Sequence, residues 1–331
     1  MLFTHGYALV VGVGADLSAT VQDAEQVAAF LRDPARCAYP PTQVHLLTET
    51  HANRAGVLDG LARLAQAART DPQATVVVYL SGHGVATPHF AFLTHGYDLQ
   101  NLPTTAIAEP ELSAALRAIP AQRLLVLLDC CHAGGQVTLK SPTGAVLTSA
   151  LPATVLTQLG QGGGRVVLAS SRQDEQSHIL TGDSLSLFTK TLLEALAGYG
   201  TAQQDGYARV LDVASYVARL VPDRYPQQHP IISASHADNF AIAYYAGGQS
   251  QPKAVAWAAQ HQQPILLDPR NADVRAWQTQ LKNYEETLRL YEERFSQYVN
   301  FRDIPLQQVR DKRAIEQKVR ELRQKLGLPE A

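Results

Sequence analysis

Two stretches hold the side chains that could do chemistry. In Leu124–Gly135 (LLVLLDCCHAGG) an unbroken apolar run leads into Asp129, Cys130, Cys131 and His132, and the chain then turns on Ala133, Gly134 and Gly135. In Thr75–Gly84 (TVVVYLSGHG) a second run ends in Ser81-Gly82-His83-Gly84. A short continuous apolar run bounded by glycines predicts a strand buried on both faces of a parallel sheet. The carboxyl end of such a strand is where open α/β sheets place their ligands. The two strand ends therefore bring a thiol, an imidazole and a carboxylate to one edge of one sheet.

The chemistry this suits is nucleophilic catalysis. A thiolate attacks, and a nearby imidazole or a helix N-terminus lowers the pKa of the thiol. Cys131 is the candidate nucleophile and His83, isolated between glycines, the candidate base. A buried cysteine or a lone histidine is by itself commonly structural; the pair, each at a strand end with glycine close by, favours a dyad. Adjacent strand residues face opposite sides, so Cys130 and Cys131 cannot both face the cleft, and Cys130 takes the structural role. His132 is a lesser candidate base, because adjacent side chains diverge. Zinc binding by Cys130, Cys131, His132 and His83 lacks the spaced ligand pairs of such sites. Gly12-Val13-Gly14 lacks the third glycine of a dinucleotide loop, and Asp16 and Asp23 would repel a pyrophosphate.

The elements that must position these residues follow in order. Strands are expected at Tyr7–Val13, Val44–Leu47, Thr75–Leu80, Leu124–Leu128, Arg165–Ala169 and, as a last edge strand, Phe240–Tyr244; Phe90–Leu93 with Tyr97 suggests a hairpin. Apolar residues at helical spacing predict helices over Asp23–Arg32, Arg54–Ala68, Pro110–Ile119, Leu185–Leu196 and Val210–Leu220. Strands alternating with helices imply a parallel sheet covered on both faces, with right-handed crossovers. After Gly247–Gln251 the pattern changes. Val274, Trp277, Leu281, Tyr284, Leu288, Tyr291, Phe295 and Tyr298 form a heptad seam, and Ile315, Val319, Leu322 and Leu326 continue it beyond Asp303 and Pro305. This predicts an antiparallel helical hairpin over residues 247–331, following a catalytic domain over 1–246. Its stripe needs cover from the first domain, a second copy or a partner.

Composition bounds the function. At 331 residues, 46% hydrophobic and 18% charged, the chain reads as globular. A net charge of −2 offers no global field for nucleic acid or membrane surfaces. No apolar run approaches a membrane span, and the N-terminus lacks the basic and apolar regions of a secretory signal. Three cysteines, two of them adjacent, make no disulfide framework, so a reducing cytoplasm is expected.

The blocks Tyr79-Leu80-Ser81-Gly82-His83-Gly84 and Asp129-Cys130-Cys131-His132-Ala133-Gly134-Gly135 resemble the two signature blocks of the caspase-like cysteine peptidases (family C14), in the bacterial metacaspase-like, or orthocaspase, branch. Those blocks usually read YSGHG and DSCHSGG. Cys130 stands in place of serine and Leu80 separates Tyr79 from Ser81; neither departure touches the dyad. The likeness spans residues 1–245. It includes Asp23 after the first strand, Ser170–Glu175 after the fifth, and Gln228-His229-Pro230. The QACxG pattern of caspases proper is absent.

The resemblance implies a three-layer α/β/α sandwich around a mostly parallel six-stranded sheet, with the C-terminal helices as an added module. It implies that Cys131 attacks a peptide carbonyl, that His83 relays the proton, and that the N–H groups of Gly84 and Cys131 form the oxyanion hole. It places Asp23 and Asp129 in the S1 pocket, with Asp174 a third candidate. Paired carboxylates select a cationic P1 side chain, so cleavage after Arg or Lys is expected. No dense acidic loop suggests calcium, and no metal or cofactor is expected. Partners are a protein or peptide substrate and a docking or self-association surface in residues 270–326; nucleic acid and membrane are not expected. The segment Gln136–Gly164, with Lys140 inside it and Arg165 at its end, suggests a surface loop or a self-cleavage segment. A catalytically silent scaffold acting through its C-terminal helices is the competing reading.

Overall fold

The computed structural model describes residues 3–15, 17–87, 89–130, 146–148, 159–160, 163–172, 175, 177–180, 182–203, 205–235, 237–245, 251–257, 272–295 and 305–325. The chain divides into two compact units, Met1–Val255 and Ala256–Ala331.

The first unit is built on a six-stranded sheet made of β1 (Gly6–Gly12), β2 (Val44–Thr48), β3 (Thr75–Ser81), β7 (Arg123–Asp129), β9 (Arg165–Ala169) and β11 (Ile231–Ser235), in the order β11-β9-β7-β3-β1-β2. Neighbours are parallel except β11, which runs antiparallel to β9. The apolar runs explain the arrangement. All of β3 is buried and β7 is buried from Leu124 onward, as strands covered on both faces require.

Alternation along the strands divides the side chains between two helical layers. Leu9 and Val11, Val76, Val78 and Leu80, and Leu124, Val126 and Leu128 share one cluster with Val57, Leu61 and Leu64 of α2 (Arg54–Thr70). Leu112 and Leu116, from the helix Glu109–Arg117, complete that layer. On the opposite face lies α1 (Ser18–Arg32), whose buried stripe Thr20, Asp23, Ala24, Val27, Ala28 and Leu31 carries one carboxylate among apolar residues. The helix Leu187–Leu196 is buried along its whole length on this side, and Tyr79 of β3 reaches its Thr189 at 2.7 Å. The close approach of α1 to β1 depends on Gly12: a Cβ there would lie 2.3 Å from the Thr20 carbonyl oxygen. Helices on both faces of a mostly parallel sheet make the expected three-layer architecture.

A four-stranded antiparallel sheet leaves the main sheet directly after His83. It comprises β4 (Gly84–Thr87), β5 (His89–Leu93), β6 (Ala106–Ala108) and β8 (Val146–Thr148), in the order β6-β5-β4-β8. The strand expected at Phe90–Leu93 lies in β5, but its hairpin partner is the preceding β4, and Tyr97 lies outside the strands. The loop-rich stretch before Gly164 contributes β8.

The edge strand departs from expectation. The segment Ala241–Tyr244 (β12) does not join the main sheet; it pairs with β10 (Tyr207–Arg209) in a separate two-stranded ribbon. The sixth strand is β11, Ile-Ile-Ser-Ala-Ser, whose Ile232 remains 38% exposed. An edge strand tolerates serines and solvent, so it lacks the apolar run by which its neighbours are recognised.

The second unit contains two helices, Ala272–Phe295 and Leu306–Lys325. Leu281, Val319 and Leu322 form its buried seam, flanked by Tyr284, Leu288 and Ile315. The two helices are tied by the Glu285–Arg323 pair at 2.9 Å and by Lys318 over the Tyr284 ring at 5.6 Å. Tyr298 and Leu326, the last residues of the two expected stripes, lie outside the described residues.

Candidate active site

The carboxyl ends of β3 and β7 lie side by side, with Ser81 opposite Asp129 in register and the Gly82 N–H donating to the Asp129 carbonyl at 3.3 Å. Apolar runs hold the two strands in register; the glycines after Ser81 let the chain leave the sheet sharply. His83 follows, 8% exposed, and its carbonyl accepts from the Leu93 N–H at 2.9 Å as β4 begins. Gly84 cannot carry a side chain, because a Cβ there would meet the Phe90 ring at 2.3 Å. This leaves its backbone approachable where β4 starts.

Cys130 is 2% exposed and belongs to the apolar cluster shared with α2. Burial pushes its thiol up to about 12, with the Asp129 carboxylate adding to the effect. A thiol so placed is inert as a nucleophile at neutral pH. Cys131, His132 and Asp174 lie outside the described residues. Arg165 opens β9, as expected, and is 6% exposed.

Asp23 and Asp129 are brought together, both fully solvent-excluded. Asp23 arrives on the buried stripe of α1, and Asp129 on the last residue of β7. Ser186 joins them: its N–H donates to Asp23 Oδ1 at 2.9 Å and its hydroxyl to Asp129 Oδ2 at 2.6 Å. Asp129 also accepts from Ser177 Oγ at 2.8 Å and Thr189 Oγ1 at 3.0 Å. Asp23 Oδ2 is buried and has no hydrogen-bond partner among the described residues. Burial first, and the Asp129 carboxylate second, raise the Asp23 pKa well above its usual range. The pair thus resembles two carboxylates sharing a site, in which one tends to keep its proton.

Ser186 is also the N-cap of the helix Leu187–Leu196, accepting from the Thr189 N–H at 3.0 Å. Both carboxylates therefore sit at the positive end of that helix, which favours negative charge. Further contacts fix the approach to it. Lys190, with its side chain 5% exposed, pairs with Asp183 at 2.6 Å, and the Leu187 N–H donates to the His178 carbonyl. Behind Ser177 stands Gln228, whose Nε2 donates to Ser177 Oγ at 3.2 Å and to the Ser170 carbonyl at 2.9 Å, while its Oε1 accepts from the His178 N–H. Glu175 takes the His229 N–H at 2.7 Å. The segments Ser170–Glu175 and Gln228–Pro230, far apart in sequence, are thus joined beside Asp129.

Ser177, Ser186 and Thr189 were not expected, and Gln228 was singled out only as part of the resemblance, with no contact assigned to it. Short polar residues in turns carry no periodic signal. Only Ser186, standing in front of the apolar helix run, has a recognisable capping role.

Chemically the arrangement offers an imidazole at one strand end and, beside the next, a paired carboxylate centre able to accept a cationic group. In comparisons with known proteins, the family model of the caspase domain, Peptidase_C14, matches residues 5–241. No curated protein matches the chain.

Proposed function

The chain belongs to the caspase domain family of cysteine peptidases, and on that premise we propose that it is an endopeptidase of the metacaspase-like branch that cleaves after Arg or Lys. Cys131 is the nucleophile and His83 the proton relay. Cys131 follows Asp129 by as many residues as His83 follows Ser81, and Ser81 and Asp129 are register partners. The N–H groups of Gly84 and Cys131 polarise the scissile carbonyl.

The observation that carries the specificity is the Asp23–Asp129 pair bridged by Ser186. Asp129 spends its lone pairs on neutral donors, whereas Asp23 Oδ2 has an open acceptor. Asp23 therefore meets the P1 guanidinium or ammonium, and Asp129 holds the field. Both are solvent-excluded, so a P1 side chain reaches them only by displacing what covers them. Binding a cationic P1 drives the Asp23 proton off, so affinity for Arg substrates rises with pH. Asp174 remains a candidate third wall of this pocket. The C-terminal hairpin, with Leu290 56% exposed, supplies a docking surface for a partner or a second copy. A cytoplasmic role in bacterial stress or cell-death responses fits the branch by analogy alone.

The test is cleavage of fluorogenic peptides carrying Arg, Lys, Asp or Leu at P1, by wild type, Cys131→Ala, His83→Ala and Asp23→Asn, with calcium and with a chelator. The expected result is Arg and Lys cleavage lost in Cys131→Ala and His83→Ala, and reduced at least tenfold in Asp23→Asn. Cleavage after Asp would overturn the pocket assignment, and full activity of Cys131→Ala would overturn the nucleophile. A chelator that abolishes activity would refute the expectation of a metal-free enzyme.

A further inference from the structure

The opposite edge of the main sheet holds a second feature that the peptidase reading does not use. β7 spans seven residues from Arg123 to Asp129, so its two ends lie about 20 Å apart. At the amino ends of β7 and β9 a cleft of about 570 Å³ is lined by Arg117, Arg123, Arg165, Gly164, Asp238 and Phe240, among others. This volume suits a small molecule.

Arg165 forms part of its wall, at 6% exposure. Its Nη2 donates to the carbonyls of Arg117 and Ile119, at 3.3 and 3.2 Å. Its Nη1 is buried and has no partner among the described residues. Buried donors on charged groups are rarely left unmet, because the lost hydration is costly. The Arg117 charge lies close enough to bear on the Arg165 guanidinium, and both that charge and burial disfavour its protonated form. Arg123 extends the cluster, tied only to the Gln73 carbonyl at 3.4 Å. No carboxylate pairs with any of the three arginines among the described residues; Asp238, the acid in the lining, is exposed. Three guanidinium groups and one carboxylate thus line this cleft, with no ion pair between them among the described residues. A second cleft, lined by Phe3, His5, Tyr207 and Phe240, adjoins it through Arg123 and Phe240 and offers aromatic surface to the organic part of a ligand.

We propose that the arginine-lined cleft at the amino edge of β7 and β9 binds a phosphate-bearing small molecule, with Arg165 Nη1 as the buried donor and Arg117 and Arg123 at the rim. A phosphate carries up to two charges and three acceptor oxygens, which suits converging guanidinium forks better than a single carboxylate.

The experiment is isothermal titration calorimetry on the full chain with inorganic phosphate, a nucleoside monophosphate and citrate, repeated on Arg117→Ala/Arg123→Ala and on Arg165→Met. The rim residues are exposed, so the double variant should fold, as a thermal melt will verify. Arg165→Met keeps the buried stem while removing the charge. Binding of phosphate or the nucleotide, weakened at least tenfold in both variants, would support the site. Binding of inorganic phosphate as tight as that of the nucleotide would show that the phosphate group alone is read. Binding of citrate alone would overturn the phosphate assignment. No heat with any of the three anions, or equal affinity in the folded double variant, would overturn the site itself.

Discussion

Replacing Asp23 with asparagine should alter how stability depends on pH. Asp23 is fully buried, spends one oxygen on the Ser186 N–H and has no partner for the other among the described residues. Burial and the neighbouring Asp129 carboxylate raise its pKa well above the usual range. The native chain therefore holds a proton that the unfolded chain, with an aspartate pKa of about 3.9, has released. With more protons bound to the native state, stability falls as pH rises from about 4 towards the raised native value. Within that window each pH unit costs about 1.4 kcal/mol. Asparagine has nearly the same shape and does not titrate, so every ionisable group except the neighbouring Asp129 cancels in the comparison. The stability of Asp23→Asn relative to wild type should therefore grow as pH rises from about 4 until the raised native value is passed, by at most about 1.4 kcal/mol per unit. Urea unfolding of both proteins across that interval, read from midpoints at matched slopes, measures the difference. Parallel pH profiles would refute the reasoning. A wild type that gains on the variant as pH rises would mean that Asp23 is ionised and stabilised in the fold, so that no proton is left for a P1 cation to displace.

Three further outcomes follow from the packing. Gly12→Ala drives a Cβ to within 2.3 Å of the Thr20 carbonyl and should cost about 1–3 kcal/mol; an unchanged melting temperature would show that α1 shifts freely. Ser186→Ala removes a helix cap and one donor to Asp129, and should cost about 2 kcal/mol or more; a loss below about 0.5 kcal/mol by urea unfolding would contradict the bridging role. Leu281→Ala empties the centre of a seam with two other buried members among the described residues, and should cost the hairpin about 2 kcal/mol or more. An unchanged helical melt, followed by circular dichroism, would mean that the seam does not hold the two helices together.

What the sequence disclosed and what it hid divides along physical lines. The central parallel strands β1, β3, β7 and β9 were legible because burial on both faces leaves an unbroken apolar run; β2, half-buried at the far edge, was legible from its shorter apolar stretch. β11 was not, since an edge strand can spend alternate positions on serine, and the more apolar Phe240–Tyr244 drew the assignment instead. The seam of the hairpin was legible from its heptad spacing. In the site, Asp23 and Asp129 were reached through motif resemblance, and their proximity through the fold. Nothing in local pattern marks Ser177 and Thr189 as partners of Asp129, or Gln228 as the partner of Ser177, because those contacts close over 48 to 60 residues of chain. Tyr79 looked purely apolar in its strand, yet its hydroxyl meets Thr189.

The strand order has a consequence for synthesis. β1 pairs first with β2, and β3 then takes the other side of β1; β7, β9 and β11 each add in turn to the outermost strand. No strand of this sheet inserts between two already paired, so it can grow outward as the chain leaves the ribosome. The catalytic edge does not mature on the same schedule. Residue 129 is made well before Ser177, Ser186 and Thr189, which follow it by 48, 57 and 60 residues. At a synthesis rate of about 5–20 residues per second the carboxylate waits several seconds for its donors. For that interval a nascent peptidase can hold its central strands and still lack a finished pocket.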